Sequence, residues 1–371
     1  MNGTRNTTDN STILEADPIP LNSLFPVLFQ TNNPFVIAVY KYMLPLFAIV
    51  IIFCNILTIG IFWKIELKKT THMLLLGICA CDMLANISLG TISGYVFYFE
   101  DYRDYLPYRI CEIYTFLYNF LPVFFKYTST YLILGLAIQR FICVVYPFVA
   151  KQICTKRHIL IYMLFTFLCS GAYLAFQIHS HTYHIIETSS FYIKNRTMSA
   201  CSIVVSNFTL WYIHPVFYIF LPLVILICIT PAILKTLQRS RTLKTSSTSS
   251  VHNSLRSLSI ITLWVVLTFV LCEIPVLIYV CATFACLEYK LCSFLLSPSW
   301  LVYTHYTILI TSFGQLLNFV IYIVYNKHFR QTFRDIITGC RCMRKNRFTP
   351  KNVLRVTNIE LLSSSYNASS S

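Results

Sequence analysis

Charge is what this sequence most conspicuously lacks. Only 12% of its 371 residues are charged, and only 14 are acidic, whereas a water-soluble domain of this size carries nearer a quarter charged residues. Seven core helices of a soluble protein are excluded on that ground, because they would leave almost no polar face for water. A nucleotide-binding loop, a nucleophile motif and metal-ligand spacing are also missing, so neither an enzyme nor a cofactor is expected. No internal repeat is visible, which counts against a transporter built from duplicated halves. Residues 1–30 show no basic start followed by an apolar core, so no cleavable signal peptide is expected and the first apolar block would act as the insertion signal.

What the chain has instead is apolar residues, 56% of the total, gathered in blocks rather than alternating. A helix needs about 20 mostly apolar residues to cross a hydrocarbon core of roughly 30 Å. Seven blocks meet that length, at about 39–63, 72–99, 112–146, 158–178, 212–235, 257–285 and 299–325. A backbone facing lipid must satisfy its own hydrogen bonds, so each is expected to be helical. The expected fold is an all-α membrane protein, a seven-transmembrane helix bundle.

The net charge of +15 would suit nucleic acid, but its placement argues otherwise. Bases cluster in alternate connections: Lys64, Lys68 and Lys69; Lys151, Lys156 and Arg157; Lys235, Arg239, Arg241, Lys244 and Arg256; and Lys327 through Arg355. The positive-inside rule assigns these segments to the cytosol. The N-terminus is then extracellular and the C-terminus cytoplasmic, in a multi-pass protein of the plasma membrane with no nucleic-acid partner. Acceptor triplets for N-glycosylation begin at Asn2, Asn6 and Asn10, and at Asn195 and Asn207 between the fourth and fifth spans, all on the outer side of this topology.

Most of the 15 cysteines lie within spans, where a thiol acts as a small apolar group. Cys111 opens the third span and Cys201 lies in the long fourth-to-fifth loop, both in an oxidising compartment, and a disulfide between them is expected. Cys286 and Cys292 could form a second. Cys340 and Cys342 stand among bases after the last span, which suits palmitoylation as well as it suits two free thiols. Domain boundaries follow: a glycosylated extracellular tail at 1–38, the bundle at 39–325, a short amphipathic membrane-surface helix at 326–338 with Phe329, Phe333, Ile336 and Ile337 on one face, and a cytoplasmic tail at 339–371. The Ser-rich end of that tail is a candidate for kinases and, after them, arrestin.

Polar groups inside spans are costly, so each is a functional candidate. Asn55, Asp82, Ser129, Gln315 and Asn318 fall mid-span in the first, second, third and seventh blocks. For Asn55 a hydrogen bond that joins helices is the favoured reading. Asp82 with Ser129 and Asn318 is a candidate site for a small cation such as sodium, or for a proton. Arg140 ends the third span before Tyr146-Pro147, Tyr322 lies near the inner end of the seventh, and Pro222, Pro231 and Pro275 offer kinks in the fifth and sixth. Lys126 and Glu273 are the two charges least expected in lipid. Steps of 100° set Lys126, Ser129, Ile133 and Arg140 on one face of the third helix, and a lone charge at that depth would lose several kcal/mol. An ion pair between Lys126 and Glu273 is therefore expected, in competition with two charges that each reach water separately.

Asn55, Asp82, Cys111, Arg140, Pro222, Pro275 and Asn318 with Tyr322 together resemble the rhodopsin-like G-protein-coupled receptor family, over residues 39–338. The fourth helix lacks the family's usual Trp, which leaves its register open. Gln139 replaces the usual acid before the arginine, Glu273 the usual Trp before the sixth-helix proline, and Phe319 the usual proline of the seventh-helix motif. With Phe120-Leu-Pro and Leu136-Ala-Ile-Gln-Arg-Phe, these departures are similar to the invertebrate sex-peptide/myoinhibitory-peptide receptor group. The resemblance implies an extracellular, amidated neuropeptide as ligand, a pocket that includes Lys126 and Glu273, and a heterotrimeric G protein that engages Arg140 and Tyr322. A chemosensory receptor for small molecules is the nearer alternative, though the long aromatic loop at 179–211 suits a lid over a peptide. An ion or solute transporter using Lys126, Asp82 and Glu273 is the remote one.

Overall fold

The computed structural model describes residues 34–64, 70–95, 108–189, 197–205, 215–242, 249–289 and 298–338. Asn2, Asn6, Asn10, Asn195, Asn207, Cys292, Cys340 and Cys342 lie outside the described residues, and Cys111, Cys201 and Cys286 are described in backbone alone. Among the described residues are seven helices long and apolar enough to cross a membrane. We label them α1 (Pro34–Lys64), α2 (Thr70–Gly94), α3 (Tyr108–Val145), α4 (Lys156–His179), α5 (Val216–Thr242), α6 (Ser249–Tyr289) and α7 (Pro298–Tyr325). A short helix, Pro147–Ile153, follows α3, and α8 (Lys327–Ile337) follows α7.

Contacts close a ring in the order α1, α2, α3, α5, α6, α7 and back to α1, with α4 outside it against α3 and α2. The core runs down α3, where Tyr127, Ser129, Ile133, Leu136, Gln139 and Arg140 are all buried. On α4, by contrast, Ile159, Thr166 and Ser170 are the buried residues, while Leu160, Leu164, Phe165 and Leu168 are exposed. That settles the register which the missing Trp left open. So broad an apolar exterior needs hydrocarbon around it.

Proline shapes three of these helices in the same way. The π-helical turns Val39–Met43, Phe116–Phe120 and Val216–Phe220 each run into a Leu-Pro pair: Leu44-Pro45, Leu121-Pro122 and Leu221-Pro222. In each, the leucine N–H bonds the carbonyl five residues back, on Val39, Phe116 or Val216. A proline ring in a helix collides with the carbonyl four residues before it, and a widened turn moves that carbonyl aside. In α5 the wider turn leaves the Phe217 carbonyl without Leu221, and the Tyr131 hydroxyl donates to it at 2.7 Å. α5 and α6 run on through Pro222, Pro231 and Pro275. Pro231 and Pro275 sit within regular α-helix.

Between α4 and α5, two strands appear where sequence reading saw only a long loop. β1 (His181–Ser189) pairs antiparallel with β2 (Thr197–Val205), with Cys201 opposite Ile185. Thr and Ile populate both strands, and Val the second, as the pleated backbone favours. Both strands lie against Tyr108–Thr115, the first turns of α3. The backbone of Cys201 therefore belongs to a strand that meets the helix segment holding Cys111.

Asn326 starts α8, its side-chain oxygen accepting the Phe329 N–H at 3.1 Å, an N-cap. Arg330 returns to α7 and donates to the carbonyl of Val324 at 2.9 Å, supplying a cation to the end of that helix. Phe329 is fully buried, 5.5 Å from the Phe62 ring and 5.9 Å from Tyr322. By its internal contacts the chain divides after Arg330. In the unit beginning at Gln331, α8 continues to Ile337, and Thr338 bonds the Arg334 carbonyl through its N–H and its hydroxyl.

Small residues allow the closest helix approach. A Cβ added at Gly90 of α2 would stand 2.3 Å from the Ala48 Cβ of α1, which is less than any real contact between carbons. Gly90→Ala should lower the melting temperature of the purified protein, an overpacking cost of about 1–3 kcal/mol. Adding Ala48→Gly should return most of it. A Gly90→Ala protein that melts with the wild type would show that the two helices are not held this close.

Candidate functional site

The site is a stack of two cavities along α3. The upper one lies toward the hairpin, has a volume of about 410 Å³, and is lined by Tyr118, Phe120 and Tyr127 of α3, Gln177 of α4, and Tyr279 and Phe284 of α6, among others. Phe120 is part of the π-turn before Pro122, so the widened turn helps set the wall of this cavity. Tyr127, Tyr173 and Tyr218 pack together at its α4–α5 side, with ring centroids 4.2 to 5.5 Å apart. At the α1 side Tyr118 donates to Tyr40 at 2.8 Å, and Tyr40 meets the buried His305 Nδ1 at 3.2 Å. Tyr40, Tyr118, Tyr173 and Tyr218 were not singled out from sequence. Aromatic content alone cannot say which rings point inward.

The lower cavity is smaller, about 40 Å³, and polar. Lys126 and Glu273 lie in its wall, and Lys126 Nζ stands 3.1 Å from Glu273 Oε1. The ion pair expected from sequence forms. Glu273 is buried, whereas the Lys126 side chain keeps 32% exposure, so the lysine carries the pair's residual contact with solvent. Gly314 brings α7 against Cys272 beside it, since a Cβ there would lie 2.7 Å from the Cys272 sulfur. One turn further along, Tyr303 of α7 donates to the Pro275 carbonyl at 2.9 Å. The α6 segment holding Glu273 is thus tied to both α3 and α7.

Asp82 shares this lower cavity. Ser129 Oγ donates to its carboxylate at 2.8 Å, Gln315 Nε2 lies at 3.5 Å, and Asn318 also bonds it. Asn86 donates to the Gln315 side-chain oxygen at 2.6 Å and to the Asp82 carbonyl at 2.7 Å. The three residues grouped from sequence, Asp82, Ser129 and Asn318, are together. Gln315 joins them, held by Asn86, which sequence reading passed over because one buried amide on α2 carries no signal of its own. The carboxylate, hydroxyl and amide oxygens suit a small hard cation. Asn55 is buried, but its amide nitrogen meets no hydrogen-bond partner among the described residues, so the helix-joining bond expected there is not seen.

Arg140 lies 14 residues past Lys126, about 21 Å along α3. It is buried, and its Nη2 donates to Thr71 Oγ1. The adjacent Gln139 engages the same corner of α2: its amide donates to Thr70 at 2.5 Å and accepts from Thr71 at 3.4 Å. Two threonines thus hold the Gln-Arg pair where an acid is absent. Tyr322 packs instead among Phe62 and Phe329 and beside Cys79.

The family profile described as 7 transmembrane receptor (rhodopsin family) matches residues 54–322, from the first span to Tyr322. This chain belongs to that family. The receptor is also 24% identical, over 338 residues, to the sex peptide receptor of Drosophila melanogaster, an alignment covering 85% of this chain and 76% of that one.

The ion pair ties α3 to α6, so its loss should disturb the receptor more than a surface pair would. Leaving a fully buried charge unpaired costs about 3 kcal/mol, and less where one partner is partly exposed, as Lys126 is. Lys126→Glu and Glu273→Lys should each lower thermal stability and signalling, and the double exchange should recover part of both at matched surface expression. A double exchange no better than the worse single variant would mean that the contact is incidental.

Proposed function

We propose that this receptor sits in the plasma membrane with its N-terminus outside, binds a short extracellular amidated neuropeptide, and activates a heterotrimeric G protein. The observation that carries this is the aromatic cavity of about 410 Å³ at the hairpin end of the bundle. It is large enough to receive a side chain or two of a peptide, and it stands directly above the Lys126–Glu273 pair. Similarity to a sex peptide receptor supports a peptide over a small odorant or tastant. Ligand recognition would extend from the aromatic rings down to the ion pair. An agonist that binds better when α6 has swung outward at the Arg140 end shifts the population to that state, and the freed Arg140 and Tyr322 receive the G protein. Sodium at Asp82, Ser129 and Asn318 would favour the opposite state. In the tail, Cys340 and Cys342 would take palmitate, and the Ser-rich end would take phosphate and recruit arrestin. Glycans would occupy Asn2, Asn6, Asn10, Asn195 and Asn207.

A panel of amidated peptides, applied to cells that express the receptor, should give nucleotide-sensitive coupling with at least one member. Responses confined to small organic molecules would favour a chemosensory receptor, and solute flux without coupling would favour a transporter. In the same cells Gln139→Glu should lower basal signalling, because a carboxylate beside Arg140 restrains it more strongly than the threonine hydroxyls do. Basal activity unchanged or raised at equal expression counts against that role for Arg140.

Cys111 and Cys201 would be disulfide-bonded, with Cys286 and Cys292 a second pair. Non-reducing peptide mapping should recover Cys111 and Cys201 in one linked fragment. Recovery of both thiols free refutes the bond.

A further inference from the structure

The lower cavity holds an odd number of charges. Asp82 from α2, Lys126 from α3 and Glu273 from α6 all line it. Lys126 matches Glu273 at 3.1 Å. Asp82 is left with a hydroxyl and two amides, those of Ser129, Gln315 and Asn318. A buried charge with only neutral partners is expensive. The space of about 40 Å³ exceeds the roughly 10–15 Å³ that one water needs, so it has room for a small ion together with water.

The ammonium that neutralises Glu273 is also within range of Asp82. Lys126 and Ser129 are three residues apart, about 4.5 Å along the helix, and adjacent on its surface. Ser129 touches the Asp82 carboxylate, and the charge of Lys126 already acts on it. A flexible four-carbon stem spans such a step. Glu273, on the other hand, rides on α6 two residues before Pro275, and moves with that helix.

We infer that Lys126 is a tethered counter-cation shared by two carboxylates. While it is paired with Glu273, the Asp82 site takes a free monovalent cation. When Glu273 withdraws, the ammonium passes to Asp82 and displaces that cation. The exchange keeps Asp82 neutralised throughout, releases one free cation and leaves the withdrawn Glu273 without its ammonium, and it links the floor of the upper cavity to the polar centre below. This inference rests on the cation-site reading of Asp82.

Sodium itself is the probe. Melting temperatures of the purified receptor are read while NaCl replaces KCl at constant ionic strength. Sodium should stabilise the wild type and should have no such effect on Asp82→Asn. Glu273→Gln should also lose the effect, although Asp82 is intact, because Lys126 now sits on it. Lys126→Gln should respond at sodium concentrations lower by on the order of tenfold, since a nearby positive charge has gone. The double variant Lys126→Gln with Glu273→Gln should respond again. A Glu273→Gln protein that keeps the wild-type response overturns the inference. Should that variant not fold, a midpoint for Lys126→Gln equal to or above the wild-type value overturns it equally. Response in Lys126→Gln but not in the wild type means that the ammonium already occupies the site, which upholds the tethered cation and removes resting sodium. Absence of response in every protein removes both.

Discussion

Hydrocarbon accepts no hydrogen bonds, and that constraint governs every polar position in this receptor. Without water, a polar group within a span is stabilised by a partner in another helix or along its own backbone. Asp82 finds Ser129, Lys126 finds Glu273, Arg140 finds Thr71, and the Phe217 carbonyl finds Tyr131. These contacts run along α3 from Lys126 to Arg140, and that helix touches α2, α4, α5 and α6. Lipid provides no hydrophobic drive to bring helices together. Close approach at small residues such as Gly90 and Gly314, and the polar bonds just named, do that work.

The stack of cavities gives the constraint a direction. The upper space is walled by aromatic rings, and the lower by charges and amides. The ion pair lies in the wall of the lower one, beside Tyr127 of the upper. From the hairpin end inward, the surface is apolar first and charged last. A displacement of Glu273 would be felt where Tyr303 and Cys272 meet across α6 and α7.

How much of this was legible in the sequence depended on the range of the signal. Long apolar blocks announced the seven helices, because membrane thickness sets their length. A charge in an apolar block is rare, so Lys126 and Glu273 could be paired before any geometry was known, and Asp82, Ser129 and Asn318 grouped. Thr71 and Asn86 gave no such warning. Hydroxyls and single amides are tolerated in spans through bonds to their own helix, as Thr128 shows with Phe124, so a partner on another helix leaves no trace in composition. The hairpin was missed for a different reason. Its nine-residue strands lie in a segment whose polarity reads as loop, and pairing between residues 8 to 24 apart is not a local property.

The three widened turns carry a consequence for counting. A π-turn contains one residue more than the α-turn it replaces, and one residue is about 100° of helix. Each Leu-Pro site therefore resets the phase of α1, α3 and α5 at the hairpin end. Helical periodicity projected outward from Asn55, Arg140 or Leu226 across these turns assigns the wrong faces beyond them. Tyr40 and Tyr118 lie within such turns, and the positions before them share the offset. A chimera that borrowed the outer part of α3 from a relative without the extra residue would turn Tyr114 off its stack with Tyr118, even with every substituted residue matched by type. In this bundle, a one-residue insertion or deletion near those prolines is a larger change to the pocket than several substitutions within it.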